Sequence, residues 1–346
     1  MATGSTPQLI ALDWGTSNLR ANLLGPGGLS LEQRSAPGGI MAVQNGQFAA
    51  ALQALCGDWL AQFGCAIMAS GMIGSRQGWQ EAPYLDCPAS LHRAAAALTP
   101  VDFYTPAAAK PRTLHIAPGL RYQDLSGAYD VMRGEETQIW GARLAPGSCC
   151  VLPGTHSKWA WTGEHAAAGQ ITRFATYMTG ELYAVLTQHS ILGRLMYFGP
   201  TPTTAATPPS TARPLATDVF LAGATQGLQN HAQATHALFA ARTAGLMNQA
   251  APADLPDFLS GLLIGIEIGG ALASASRGAG AGTGVGAGAG PAGNIVLIGD
   301  EALCQRYALA LELAGLQSTR AAQDATSAGQ WQLAQAAGLV LADGGA

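Results

Sequence analysis

Apolar and polar positions fall into two similar runs of elements along the 346-residue chain. The first run opens with QLIALD at Gln8–Asp13, a short apolar segment ending on an acid, which predicts a strand. A second strand is predicted at Leu19–Leu24, and a Gly-Pro-Gly-Gly turn at 25–28 leads into a third at Leu29–Ser35. Three strands joined by tight turns predict an antiparallel meander. A helical period covers Gly46–Phe63, and Ala66–Ala69 is a further strand ending in the glycine-rich Ser70-Gly71-Met72-Ile73-Gly74. Near Pro146 the pattern restarts. Cys149–Leu152 predicts a strand, Pro153-Gly154-Thr155 a turn, Lys158–Thr162 and Gly169–Thr176 two more strands, and Glu181–Leu195 a helix. The order strand, Gly-Thr turn, strand, turn, strand, helix therefore occurs twice, a repeat of architecture rather than of sequence. The fold class is α/β with mixed sheets. Two domains are expected, 1–145 and 146–346.

Two low-complexity stretches interrupt these elements. Thr201–Arg213 reads as a Thr/Pro/Ala-rich loop, and Arg277–Gly293 as a mobile Gly/Ala connector. The connector contains G-x-G spacings, but a dinucleotide fingerprint needs a strand before it and a helix after it. Here a helix precedes, and the strand Asn294–Ile298 follows, so that reading is rejected. A helix at Leu303–Leu313 comes next. Phe258–Ser276 approaches the about 20 apolar residues that span a bilayer. Glu267 at its centre, with no close Lys/Arg cluster, makes it a buried helix of a soluble protein instead.

Composition sharpens this picture. The chain is 48% hydrophobic and 11% charged with 45 glycines, which excludes a disordered chain. The net charge is −4 and no basic stripe is present, so no nucleic-acid partner is expected. MATGSTPQ has neither a basic nor an apolar signal region, so a cytoplasmic protein with no membrane partner is expected. The six cysteines lack zinc spacing and read as reduced, buried thiols. No oligomer interface is legible.

Candidate chemistry gathers at two turns. Asp13-Trp14-Gly15-Thr16-Ser17-Asn18 follows the first strand. Its glycine lets backbone approach a phosphate, Thr16, Ser17 and Asn18 supply donors, and Asp13 can hold Mg²⁺. A hairpin turn with no ligand uses the same residue types. Pro153-Gly154-Thr155-His156-Ser157-Lys158 is a second such unit, and two such loops facing each other across a cleft would grip a polyphosphate from both sides.

DWGTSN at 13–18 resembles the first phosphate loop of the actin/hexokinase/Hsp70 superfamily, and the whole chain resembles the 2-dehydro-3-deoxygalactonokinases. The resemblance rests on ALDWGTSNLRA at 11–21, GMIGSRQGWQEAPYLDCPA at 71–89, PGL at 118–120 and VMRGEETQIWGAR at 131–143. It continues through PGTHSKW at 153–159, MTGELYAVLTQHS at 178–190 and FLSGLLIGIEIG at 258–269. It implies two ribonuclease-H-like, actin-like domains, each a five-stranded mixed sheet with flanking helices, and a cleft between them. The first domain carries the sugar pocket and the second the nucleotide site. It further implies ATP and Mg²⁺, and phosphorylation of 2-dehydro-3-deoxy-D-galactonate at its 6-hydroxyl in galactonate breakdown. A kinase for another 2-keto-3-deoxy sugar acid, or a non-catalytic sensor on the same fold, are the alternatives.

Sugar kinases of this superfamily place an acid after a glycine at a helix start, and Gly134-Glu135-Glu136 leads into the helical run Gln138–Leu144. Glu135 is expected as the base, with Glu136 the alternative; a carboxylate in a first turn is favoured by the helix dipole. Arg133, Arg20 and Arg76 are candidates for the sugar-acid carboxylate. Gly71, Met72, Gly74 and Trp79 are assigned to the sugar pocket, Trp79 equally suiting a core. Lys158 is placed on the γ-phosphate, His156 reads as structural, and Thr179 as an N-cap or a ligand contact. Gly299 falls where the adenosine turn belongs, although Asp300 departs from the glycine or small hydroxyl residue expected after it.

Overall fold

The structure, a computed structural model, describes residues 6–105, 110–163, 169–198, 213–278, 295–321 and 324–341. The expected meander is present. β1 (Leu9–Trp14) pairs antiparallel with β2 (Leu19–Leu24), and β2 with β3 (Ser30–Ala36). α1 (Phe48–Gln62) buries Phe48, Leu52, Cys56 and Trp59, one face at helical spacing, in the core formed with Ile10, Leu12 and Ile67. β4 (Ala66–Ser70) returns parallel to β1. The chain continues through β5 (Tyr84–Asp86), α2 (Leu91–Ala96), β6 (Thr99–Phe103), β7 (Arg112–Ile116), β8 (Gly119–Gln123), β9 (Tyr129–Met132) and α3 (Glu135–Gly141). The first sheet has the order β3-β2-β1-β4-β7-β6, and β5-β8-β9 form a small separate sheet. β5 and β9 are short and largely half-buried or exposed, so they lack the continuous apolar run that marks β4, and they are not legible in the sequence.

The second run supplies β10 (Cys149–Leu152), β11 (Ser157–Thr162), β12 (Ile171–Tyr177) and α4 (Thr179–His189). The helix expected to reach Leu195 ends at His189, followed by a short 3-10 turn at Gly193–Leu195. Four helices follow: α5 (Thr217–Gln229), α6 (Ala234–Ala237), α7 (Ala240–Leu246) and α8 (Leu255–Gly278). Then come β13 (Ile295–Leu297), α9 (Glu301–Leu313), β14 (Ser318–Arg320) and α10 (Ala325–Ala336). The second sheet has the order β12-β11-β10-β13-β14, with β13 parallel to both neighbours. Both sheets thus share the order third, second, first, fourth strand of the ribonuclease-H-like arrangement, and the architectural repeat is real; the first sheet has six strands rather than the expected five, with β6 antiparallel at the β7 edge. The loop expected at 201–213 lies, up to residue 212, outside the described residues, as does the connector from 279 onward.

Many of the glycines serve close helix packing. On α5 and α8, a Cβ at Gly223, Gly227, Gly261 or Gly265 would lie 2.0–2.3 Å from a carbonyl oxygen of the facing helix. Leu255–Ser274 is long and apolar enough to cross a membrane by length and composition, but most of it is buried, with Phe258, Leu259 and Leu262 in a core with Ala241 and Ala244.

The chain divides into two compact units, Met1–Gly147 with Ala160–Phe174 and Ala321–Ala346, and Ser148–Trp159 with Ala175–Arg320. These units differ from the expected 1–145 and 146–346 in grouping 160–174 and 321–346 with the first. The 160–174 segment joins the first unit through an Ala89–Ile171 bridge and a 2.9 Å bond from Trp140 Nε1 to the Gly169 carbonyl. α10 joins it because a Cβ on Gly141 or Gly329 would lie within 1.9 Å of a carbonyl oxygen on the facing helix, so α3 and α10 lie backbone to backbone. Gln330 Nε2 also donates to the Leu12 carbonyl at 2.6 Å and to Ser70 Oγ at 2.9 Å, tying α10 to the ends of β1 and β4.

Candidate active site

In the first unit, three chain turns meet at the tip of β1. Asp13 pairs in register with Arg20 on β2 and Ser70 on β4. Gly71, directly after β4, has φ +92°, and a Cβ there would stand 2.9 Å from the Trp14 carbonyl and 3.6 Å from Asp13 Oδ1. Gly134, with φ +111°, would press its own Cβ to 3.2 Å from Gly71 Cα. Only glycine fits both positions, so backbone packs beside the Asp13 carboxylate. The first loop is held from below: Ile40 and Met41 N–H donate to the Gly15 and Thr16 carbonyls, and Gly39 lies flush against Thr16. Thr16, Ser17 and Asn18 remain exposed at its tip.

Two glutamates begin α3 and differ sharply. Glu136 is fully buried, and both its oxygens accept from the Gly134 N–H at 2.8 Å. Burial, and then repulsion from Glu135, raise its pKa to about 7. It holds the helix start and faces inward. Glu135 is only partly buried, and its Oε2 accepts from the Arg133 N–H at 3.0 Å. Its charge reaches Asp13: burial pushes the Asp13 carboxyl up, the Arg20 guanidinium 3.8 Å away pulls it down, and Glu135 pushes it up.

Arg133 is 8% exposed, donates from Nη2 to the Ala82 carbonyl at 2.8 Å and lies 4.2 Å over the Tyr84 ring. Among the described residues its Nε and Nη1 have no hydrogen-bond partner, nor does the buried hydroxyl of Ser75. Nη1 would stand 2.9 Å from a Cβ on Gly74. Ser75 was not singled out from sequence; its one signal was its place in the glycine-rich loop. Arg20 is largely exposed, and the exposed Arg76 pairs with Glu81. Met72 packs partly buried on the core. Trp79 stacks on Phe48 at 5.9 Å and meets Trp14 and Phe103, so of its two readings the core one describes where it stands.

In the second unit, Gly154-Thr155-His156 turns between β10 and β11, with open space where a Gly154 Cβ would be. The start of α4 backs this turn. Glu181 N–H donates to the Thr155 carbonyl at 2.9 Å, Glu181 pairs with His156, and a Cβ on Gly180 would stand 2.4 Å from the Gly154 carbonyl oxygen. Lys158 is buried, with Nζ 3.5 Å from the His156 carbonyl. Thr179 is not the N-cap; Met178 occupies that position, and the Thr179 hydroxyl donates to Glu267. Gly299, with φ +145°, adjoins the same turn, 3.5 Å (as a Cβ) from the Pro153 carbonyl oxygen. Asp300 explains its own departure from the expected pattern: it caps α9 by accepting from Leu303 N–H at 3.0 Å.

Two sheets of ribonuclease-H order, each with a glycine turn after its first strand, define the fold as that of the actin/hexokinase type. The 2-keto-3-deoxy-galactonokinase family model matches residues 13–333, and the chain belongs to that family. It is 36% identical over 342 residues to a Rhizobium meliloti (strain 1021) protein designated a probable 2-dehydro-3-deoxygalactonokinase, covering 93% of this chain and 97% of that one. It is 38% identical over 264 residues to the 2-dehydro-3-deoxygalactonokinase of Escherichia coli (strain K12), covering 76% and 80%. A crystal structure of a Sinorhizobium meliloti protein assigned the same activity matches with a TM-score of 0.75 and 33% identity, over 95% of this chain and 98% of that one.

Proposed function

We propose that this chain is a cytoplasmic kinase that transfers the γ-phosphoryl group of ATP to the 6-hydroxyl of 2-dehydro-3-deoxy-D-galactonate. The observation that carries the reading is the convergence of Asp13, Gly71, Gly134 and Glu135 in a chain of this family. Glu135 is the base. It takes the proton of the 6-hydroxyl as that oxygen bonds to the γ-phosphorus and the bond to the β,γ-bridging oxygen breaks, releasing ADP. The full burial of Glu136, and the bonds both its oxygens receive from Gly134, favour Glu135 over it in that role.

Asp13 is the residue to hold Mg²⁺. A carboxylate pushed up by burial and by a neighbouring acid gains from a divalent cation. When bound, Mg²⁺ neutralises charge on the transferring phosphoryl group. Thr16, Ser17 and Asn18 of the first loop and Gly154 and Thr155 of the second donate to phosphate oxygens, and Gly299 lets adenosine approach. Lys158, close behind the second loop, adds positive charge there. Arg133 and Ser75 recognise the substrate carboxylate, because a buried guanidinium with two unpaired donors is costly until an anion completes it. Gly71 and Gly74 keep that approach open, and Arg20 lies on the Asp13 side.

A panel of 2-keto-3-deoxy sugar acids with MgATP and coupled detection of ADP tests the reading. The galactonate-derived acid should turn over fastest. Equal rates on the gluconate-derived acid would shift the substrate, and nucleotide binding without turnover on any acid would favour a sensor.

A further inference from the structure

Glu267 lies midway along α8, is 2% exposed, and has no part in the chemistry described above. Its two oxygens receive four hydrogen bonds. Oε1 accepts from Ser157 Oγ at 2.7 Å and Trp159 Nε1 at 2.8 Å. Oε2 accepts from Tyr307 Oη at 2.6 Å and from the Thr179 hydroxyl. Tyr307 Oη also lies 3.2 Å from Ser157 Oγ, which closes the network. The donors come from three segments: β11, which leaves the second glycine turn; the first residue of α4, which backs that turn; and α9, which follows Gly299.

A carboxylate presents about four acceptor sites, and four donors fill them here. Apolar packing of α8 would be served as well or better by a leucine, since a buried charge carries a large desolvation cost. Directional bonds do what packing does not, which is to fix three segments at set angles to one another. The path to the turn is short. Thr179 is bonded to Glu267, its neighbour Gly180 lies against the Gly154 carbonyl, and Glu181 N–H holds the Thr155 carbonyl at 2.9 Å.

We propose that Glu267 is a positioning residue for the nucleotide: through Thr179, Ser157 and Tyr307 it sets the shape of the 154–156 turn and its alignment with the Gly299 turn. This rests on the reading that these turns hold ATP. Calorimetric titration of MgADP into the full chain, paired with steady-state kinetics, tests it. Thr179→Val keeps the side-chain shape but loses the bond to the carboxylate; it should weaken MgADP binding about tenfold, the effect expected for a lost hydrogen bond to a charged group. Thr179→Ser should restore affinity, and the sugar-acid KM should stay within about twofold in both, since the residues proposed for the sugar acid lie in the first unit. Tyr307→Phe should act in the same direction from the α9 side, independently of any effect of valine on folding. Wild-type MgADP affinity in both Thr179→Val and Tyr307→Phe, or an equal rise in both KM values, would overturn the proposal. A wild-type chain that binds no MgADP would instead overturn the nucleotide reading itself.

Discussion

The tips of the two sheets have the same strand order but are stabilised in opposite ways. In the second unit every donor around Glu267 is matched, and Asp300 caps its own helix. In the first unit the tip of β1 leaves Asp13 and Glu135 within reach of each other, Glu136 near neutrality, and two Arg133 nitrogens and the Ser75 hydroxyl unpaired. A satisfied network makes a rigid cradle, which suits a nucleotide whose phosphates need only to be held. An unsatisfied cluster stores free energy that a charged substrate and a metal ion can recover, which suits the reacting end. The rigid α3–α10 contact carries that strained cluster on a firm base.

Asp13→Asn should break the contrast most severely. Losing an electrostatic contact to the transferring group costs on the order of 10²–10³ in rate, so kcat should fall by that factor and the Mg²⁺ requirement should rise, read by initial rates across a Mg²⁺ series. Next comes Glu136. Its folded pKa of about 7 lies above the ordinary 4.5, so the native state holds this proton longer than the unfolded chain. The stability it contributes is full below pH 4.5 and is lost as pH rises to about 7. At 1.36 kcal/mol per unit the loss is about 3 kcal/mol. Glu136→Gln should remove this slope, giving a Tm that changes less between pH 5 and 8 than in the wild type. Gly180→Ala comes third: its methyl would meet the Gly154 carbonyl, and overpacking of about 1–3 kcal/mol should raise the ATP KM while leaving the sugar-acid KM alone. Ser75→Ala is the mildest. Losing one hydrogen bond to the substrate carboxylate, at the low end of about 1.5–3 kcal/mol, should raise the sugar-acid KM about tenfold with the ATP KM unchanged.

The succession of the first elements in each half and both glycine turns were legible because β1 and β10 are continuous apolar runs, each ending in a turn residue set that its position demands. The helix at 255–278 was legible for the same reason, from its unbroken apolar period. The rest depended on partners far away in the chain. Gln330 and Gly329 sit in an Ala-rich stretch that looks featureless, and only the fold reveals that they lock β1, β4 and α3. Glu267 read from sequence only as a mark against a membrane span; its four donors come from segments far off along the chain. The choice between Glu135 and Glu136 was open because adjacent residues on a helix start share every local signal, and only burial separates them.

The most direct test is therefore the pair Glu135→Gln and Glu136→Gln, measured as single-turnover phosphorylation of 2-dehydro-3-deoxy-D-galactonate with both substrates saturating. Removing a general base costs about 10²–10⁴ in rate. Glu135→Gln is expected to lose that much while still binding MgADP and the sugar acid, and Glu136→Gln to keep turnover within about tenfold, in line with a buried cap. Near-normal turnover in Glu135→Gln, with the loss falling on Glu136→Gln instead, would contradict the assignment of the base and with it the division of roles at the start of α3.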